Sequence, residues 1–375
     1  MKVIVKLGTV CLNVVYAIFK VFPLQHKLVM ISRQSNKPSI DFVLLKEALE
    51  KEDAQLRIVV LCKTLDGGLK SSLTAKIAYG FHMIVQMYHL ATSQVAILDT
   101  YCIVASLLKH RKQLKIIQIW HSIGTMKKFG YTALDTEEGS RTSIAQLMQM
   151  HKHYSYVFAS SSAYQKDLAA GFHCDEKIVR IYPLPRIDLL RDQAYKQQMQ
   201  DKIYHLHPEL KDRKIIVYCP TFRKNEFRMQ TALNQLSACI KDEVLVLKLH
   251  PLSKISIHNE HVIELKEFTT FDMLFVADAV ISDYSCVVFE AALLSIPLYF
   301  YNFDMDKYAK NRGLAIDYNN ELPGVISDDA KQIMNAIQHI PYNMEELKHF
   351  ADKYVVCTGS ASKQMAEFIV SLLEK

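Results

Sequence analysis

Eleven short runs of β-branched and other apolar residues, separated by stretches of helical periodicity, constrain this chain more than any other feature. The first series is KLVMIS (27–32), LRIVVLC (56–62), QVAILD (94–99), KIIQIW (115–120), YVFAS (156–160) and KIVRIY (177–182). The second is RKIIVYC (213–219), EVLVLKL (243–249), HVIEL (261–265), DAVIS (278–282) and IPLYFY (296–301). Between strands, FVLLKEALEKE (42–52) and TSIAQLMQMHKHY (142–154) repeat their apolar positions at helical spacing. Strands that are apolar throughout are buried on both faces, and their alternation with helices makes them parallel. Each half therefore reads as a doubly wound α/β domain. A length of 375 residues, half of them hydrophobic, is enough for two such cores. The expected division is an amphipathic segment at 1–24, a first Rossmann-like domain at 25–200 and a second at 201–375, with the boundary in the charged stretch 191–213.

Charge is concentrated at one end. The net +6 is accounted for by Lys2, Lys6, Lys20, Lys27, Arg33 and Lys37, since the first 40 residues contain no acid. A nucleic-acid binder calls for a basic stripe over a folded face, so this distribution argues against one and for an anionic membrane surface. The 13 uncharged residues between Lys6 and Lys20 fall short of the roughly 20 that span a bilayer. On a helix Lys2, Lys6, Thr9, Asn13 and Lys20 share one narrow stripe, which suits a helix lying in the membrane interface. A core helix with a solvated stripe and an uncleaved signal-like segment fit the same pattern. The eight cysteines show no CxxC or zinc spacing and read as reduced, cytosolic thiols.

In open parallel sheets ligands bind beyond the carboxyl ends of the strands. After the fourth run comes WHSIGTMKK, where His121 can act as a general base, Gly124 allows close backbone approach, and Lys127 and Lys128 add positive charge. A structural histidine in a turn is the alternative. His250, in LKLHPLSK, also ends a strand. In ISDYSCVVFEAA, Asp283 or Ser285 can cap a helix whose free N–H groups attract phosphate, Ser285 adding a hydroxyl and Glu290 suiting ribose hydroxyls; a plain cap also explains the pattern. Pro220, Thr221 and Arg223 close another strand, and Arg186 sits in a proline-stiffened turn, each offering a donor to phosphate. Asp304 and Asp306 imitate a metal pair without a second cluster.

Together these segments resemble the CDP-glycerol glycerophosphotransferase family of wall teichoic acid synthesis. The resemblance runs from about Ile116 to Asp328 through the segment WHSIGTMKKFG (Trp120 to Gly130), P-R-x-D (Pro185 to Asp188) and P-T-[FW]-R (Pro220 to Arg223). It continues through L-H-P (Leu249 to Pro251), D-Y-S-S (Asp283 to Cys286), and the pairs Arg312–Gly313 and Pro323–Gly324. The resemblance implies the GT-B fold, two Rossmann-like domains facing a cleft, with the donor nucleotide held mainly by the second. It makes His121 the general base and His250 a contact of the donor diphosphate. Ser122, Gly124, Thr125, Arg186, Pro220, Thr221, Arg223, Lys248, Ser285, Cys286 and Glu290 then line the CDP-glycerol site. This sequence departs from the pattern where Ser122 replaces glycine, Cys286 the second serine and Glu290 an aspartate.

The implied reaction is attack of an acceptor hydroxyl on the phosphorus that bears the glycerol, with release of CMP and no metal required. The implied acceptor is an undecaprenyl-diphosphate-linked saccharide at the cytoplasmic face of the membrane, where the protein would be peripheral. A single-addition, primase-like enzyme is the expected variety. CDP-ribitol ribitolphosphotransferase is the nearest alternative, and a non-catalytic CDP-ligand-binding scaffold the alternative of a different class.

Overall fold

The computed structural model describes residues 2–65, 71–223, 225–250, 252–257 and 259–373. All eleven apolar runs contain a strand: β1 (Lys27–Ser32), β2 (Arg57–Cys62), β3 (Val95–Leu98), β4 (Lys115–Gln118), β5 (Tyr156–Ala159) and β6 (Val179–Ile181), then β7 (Ile215–Cys219), β8 (Val244–Leu247), β9 (Val262–Ile263), β10 (Ala279–Ser282) and β11 (Leu298–Tyr301). A two-residue β12 (Ile326–Ser327) closes the series. The first sheet has the order β2-β1-β3-β4-β5-β6 and the second β12-β11-β10-β7-β8-β9. Every ladder in both is parallel. The absence of alternation in the sequence has its cause here: β1, β3, β7, β8, β10 and β11 are buried along their whole length, because helices cover both faces. In the second sheet the strand order reverses between β7 and β10, and this switch point is where a doubly wound sheet opens a crevice for a ligand.

The two compact units are not linear segments. The first comprises Met1–His121, Phe129–Asp188 and Val356–Lys375; the second comprises Ser122–Lys128 and Leu189–Val355. A division at 200/201 misses both exchanges. The return of the chain end to the first unit is held by the helix Ala361–Ser371 against the helix Ile40–Glu52. There the Asp188 carboxylate accepts the N–H groups of Ala361 and Ser362 at 2.6 and 3.0 Å and the Ser360 hydroxyl at 2.8 Å.

The amino-terminal helix Lys2–Phe19 turns Asn13 and Tyr16 toward the protein, while Lys6 of its polar stripe stays exposed. Asn13 donates to the Leu107 carbonyl and accepts the Lys109 N–H, buried Tyr16 bonds His110 Nδ1 at 2.8 Å, and the Lys20 ammonium donates to the Lys109 carbonyl. The side chain of Lys2 lies outside the described residues. Val3, Leu7, Val10, Val14 and Ile18, spaced at helical intervals, face outward and are 59–78% exposed. This is the reverse of a core helix with a solvated stripe. The helix Leu73–Thr92, which contacts it, does the same: Leu73, Ile77, Phe81, Ile84 and Val85 are exposed, while Tyr79, Gln86, Met87 and Leu90 are buried. No helix among the described residues is long and apolar enough to cross a membrane.

Candidate functional site

In the first unit the chain leaves β4 through a left-handed turn at Trp120, φ +62°, a conformation that costs a non-glycine residue about 1–2 kcal/mol. Two arrangements hold it. The Trp120 N–H donates to the buried Gln118 side chain at 2.9 Å, and the indole packs tilted against Phe129 and edge-to-face against Phe172, at centroid distances of 4.6 and 5.2 Å. Strain of this kind persists where the surroundings over-determine it, and here it aims the next residue. The His121 ring lies 4.0 Å from the indole, with Nδ1 3.1 Å from the Asp99 carbonyl oxygen. A carbonyl only accepts, so Nδ1 carries the proton and Nε2 is the basic nitrogen. The sole tryptophan beside the histidine is therefore the element that orients it.

Arg186 serves the same turn. Its Nε and Nη2 grip Asp41 at 2.9 and 2.5 Å, and Nη2 also donates to the His121 carbonyl at 3.3 Å. Asp41 is 2% exposed, so the pair is an internal brace that also reaches the His121 carbonyl. Asp99, at the end of β3, is 1% exposed, and burial pushes its carboxyl up to about 6.

In the second unit β10, β7 and β8 are neighbours, so their parallel carboxyl ends bring three motifs to one edge. Pro220 and Thr221 follow β7, Lys248 and His250 follow β8, and Asp283 to Cys286 follow β10. The Thr221 N–H donates to Asp283 at 2.9 Å, while the Thr221 hydroxyl is buried without a partner. His250 is exposed, accepts the Leu252 N–H at Nδ1 and stacks on Phe222 at 4.8 Å. Pro251 lies outside the described residues. Ser285 and Cys286 are half-buried at the entrance to the helix Val287–Leu293. That helix has seven residues and no side-chain cap, and Asp283 is not its cap at all. Glu290, four residues after Cys286, is 8% exposed.

Arg223 and Lys248, both expected to bind donor, do structural work. Arg223 is 7% exposed; it bonds Asp304 through Nε and Nη2 at 3.0 and 2.9 Å, pairs with fully buried Asp283 at 2.9 Å, and donates to the Thr221 carbonyl. Its guanidinium also lies over the rings of Tyr308, Tyr284 and Phe303. Asp304 is thus paired with Arg223, and no group of three His, Cys, Asp or Glu side chains that could hold a metal ion occurs among the described residues. The Lys248 ammonium donates to the carbonyls of Leu265 and Phe268 at 2.7 and 2.5 Å, tying down the segment after β9.

Ser122, Gly124 and Thr125 belong to the second unit, although the strand they follow belongs to the first. The Ser122 hydroxyl donates to the Gly124 carbonyl at 2.9 Å, which closes the loop on itself. A Cβ on Gly124 would meet the Phe289 ring at 2.6 Å, so the glycine is required by close approach. Thr125 is 4% exposed. The sequence analysis assigned no role to Asp41, Asp99 or Gln118; of these Asp99 had a visible signal, standing at the end of an apolar run.

A family model described as CDP-glycerol:poly(glycerophosphate) glycerophosphotransferase matches residues 14–371. Among curated relatives, the teichoic acid ribitol-phosphate primase of Bacillus spizizenii is 32% identical over 94% of this chain and 92% of its own length. The teichoic acid glycerol-phosphate primase of Bacillus subtilis is 31% identical over 78% of this chain and 77% of its own. Among solved structures, the wall teichoic acid polymerase TagF superposes with a TM-score of 0.75 at 19% identity, covering 99% of this chain and 97% of that one. TagF has also been solved as a variant soaked with CDPG. The shared architecture is GT-B.

Proposed function

The chain belongs to the CDP-glycerol:poly(glycerophosphate) glycerophosphotransferase family, and on that premise we propose that it is a CDP-polyol phosphotransferase of teichoic acid synthesis. In this reading the polyol phosphate passes from CDP-glycerol to a hydroxyl of a lipid-linked saccharide. The observation that carries it is the convergence of Thr221, His250 and Ser285–Cys286 at the edge of β7, β8 and β10, beside the switch point. The orientation of His121 supports its part. Nε2 takes the proton of the acceptor hydroxyl, whose oxygen forms a bond to the phosphorus bearing the polyol. The bridging P–O bond breaks, and its electron pair leaves with CMP. Charge growing on that phosphate is met by His250 and the Thr221 and Ser285 hydroxyls, which is the main demand of phosphoryl transfer.

Ribitol is the second reading for the donor, favoured by the broader coverage of the ribitol-phosphate primase. A membrane-borne acceptor fits the outward apolar faces of the helices Lys2–Phe19 and Leu73–Thr92. Of the basic residues among the first 40, Lys27 is fully buried, and exposed Lys6 and Lys37 add attraction to anionic lipid, roughly 1 kcal/mol for each cation near the surface. Peripheral attachment at the cytoplasmic face follows from this reading. Incubation with CDP-glycerol or CDP-ribitol and a short-chain lipid-linked disaccharide, with CMP followed, tests the function and separates the donors. No CMP from either donor, with binding of both retained, would favour a non-catalytic scaffold.

A further inference from the structure

We infer that Asp99 is a positioning residue for His121: its main-chain carbonyl keeps the proton on Nδ1, and its buried carboxylate stabilises the imidazolium that forms when Nε2 takes the acceptor proton. The inference rests on the role given to His121 above. The first sheet has a switch point of its own, since β2 and β3 lie on opposite sides of β1. Ile31 is in register with Leu98 there, so Ser32 and Asp99 stand side by side at the carboxyl edge. Leu98 is also in register with Gln118 of β4, and the Ile119 N–H donates to the Leu98 carbonyl at 2.8 Å, which leads the chain to His121. The loops after β1 and β3 are tied together, because the Arg33 N–H donates to the Thr100 hydroxyl at 3.2 Å. The backbone of Asp99 is thereby held, with its carbonyl oxygen 3.1 Å from His121 Nδ1.

Packing alone does not account for the side chain. Asp99 is 1% exposed, and neither of its carboxylate oxygens makes a well-formed hydrogen bond among the described residues. Burial raises its pKa, and Ser32, Thr100 and Gln34 offset that only in part. A buried carboxylate left in this way is costly to a fold, and calls for an explanation in function. The titratable groups that face it are Asp41, Cys62, Cys102 and His121. Asp41 is paired with Arg186, and burial holds both thiols above their ordinary range, so the cysteines are neutral at pH 7. The cation of the β1 loop, Arg33, is turned to the Tyr101 carbonyl and the Tyr79 ring. A protonated His121, bonded to the same residue, supplies the counter-charge. Within one residue the main-chain oxygen and the carboxyl carbon are no more than about 4–5 Å apart, so the carboxyl lies within about 8 Å of Nδ1. Two unit charges at that range in a protein change an equilibrium constant by about 10- to 50-fold. The proton passes from the acceptor hydroxyl to Nε2, Nδ1 keeps its own, and the Asp99 carboxylate accepts none.

The test is CMP release as a function of pH for the unsubstituted full chain and Asp99→Asn, with CDP-glycerol or CDP-ribitol as donor and a short-chain lipid-linked disaccharide as acceptor. Without the carboxylate the imidazole holds its proton less tightly, so the acid limb of the kcat profile should move to lower pH by about one unit. The weaker base should lower the plateau kcat roughly tenfold, while the donor KM stays within about twofold. If Asp99→Asn does not fold, as judged by thermal unfolding, Asp99→Ala carries the same expectation. A fall in kcat with the acid limb unmoved assigns Asp99 to structure alone and overturns the inference. An unchanged kcat, a limb that moves to higher pH, or a loss confined to donor KM does the same. No CMP from the unsubstituted chain overturns the proposed function and the inference with it, whereas an active parent with an unmoved profile in the variant overturns the inference alone.

Discussion

Replacing Arg223 by leucine removes the cation that pairs with two buried carboxylates, Asp283 and Asp304. Asp283 is 0% exposed and Asp304 8%, and the guanidinium between them is 7% exposed. Asp283 keeps two main-chain donors, the N–H groups of Thr221 and Tyr284. Asp304 keeps the Tyr284 hydroxyl, at 3.3 Å, as its side-chain donor among the described residues. Breaking a buried pair by removing one partner costs about 3–5 kcal/mol, a large share of a domain's stability of roughly 5–15 kcal/mol. For a unit of this size each kcal/mol lowers the midpoint by about 2–4 °C, so Arg223→Leu should unfold roughly 6–20 °C earlier. The assay is urea and thermal unfolding of the full chain, with Asp304→Asn and the double variant completing a cycle. The double variant should recover part of the loss, because one stranded charge has been neutralised. Near-wild-type stability of Arg223→Leu, with donor affinity alone reduced, would refute this reasoning and return Arg223 to the role its motif suggested.

Asp99 should make stability depend on pH in the direction opposite to a salt-bridged carboxylate. Burial holds its carboxyl at about 6, above an unfolded value of about 3.9, so the native state keeps the proton more tightly. The stabilisation is present below about pH 4 and lost as pH rises through 6, by on the order of 3 kcal/mol. Asp99→Asn should therefore be more stable than the parent in denaturant melts at pH 7.5 and match it at pH 4; a gap that widens toward acid pH contradicts this. Leu7→Glu and Phe81→Glu, at positions 64% and 66% exposed, should each lower binding to anionic vesicles by about tenfold or more while helix content is kept. Unchanged sedimentation of the Phe81 variant would remove the helix Leu73–Thr92 from the membrane face.

How far the sequence could be read depended on whether the signal was local. Uninterrupted apolar runs marked eleven strands because burial on both faces leaves no polar alternation, while β12, with two residues, carries too little pattern to register. Strand-end position is equally local, so His121, His250, Thr221 and Ser285 could be singled out as candidates from their places in the chain. For Arg223, Arg186 and Lys248 a motif gives the residue type and not its protein partner; Asp304, Asp41 and the Leu265 carbonyl, which hold them, come from distant segments. Distance also hid the docking of Ser122–Lys128 in the second unit and the return of the final helix to the first. In the helix Lys2–Phe19 the stripe was legible but its direction was not, since amphipathicity is the same whichever face meets the protein.

The account turns on His121 acting on the acceptor and not on the donor. Donor affinity and CMP release, measured side by side on His121→Ala, separate the two. The account predicts CDP-polyol binding within about twofold of the parent and CMP release reduced by at least about 100-fold, the contribution of a positioned general base. Undiminished CMP release, or a loss of donor binding as large as the loss of turnover, would contradict it.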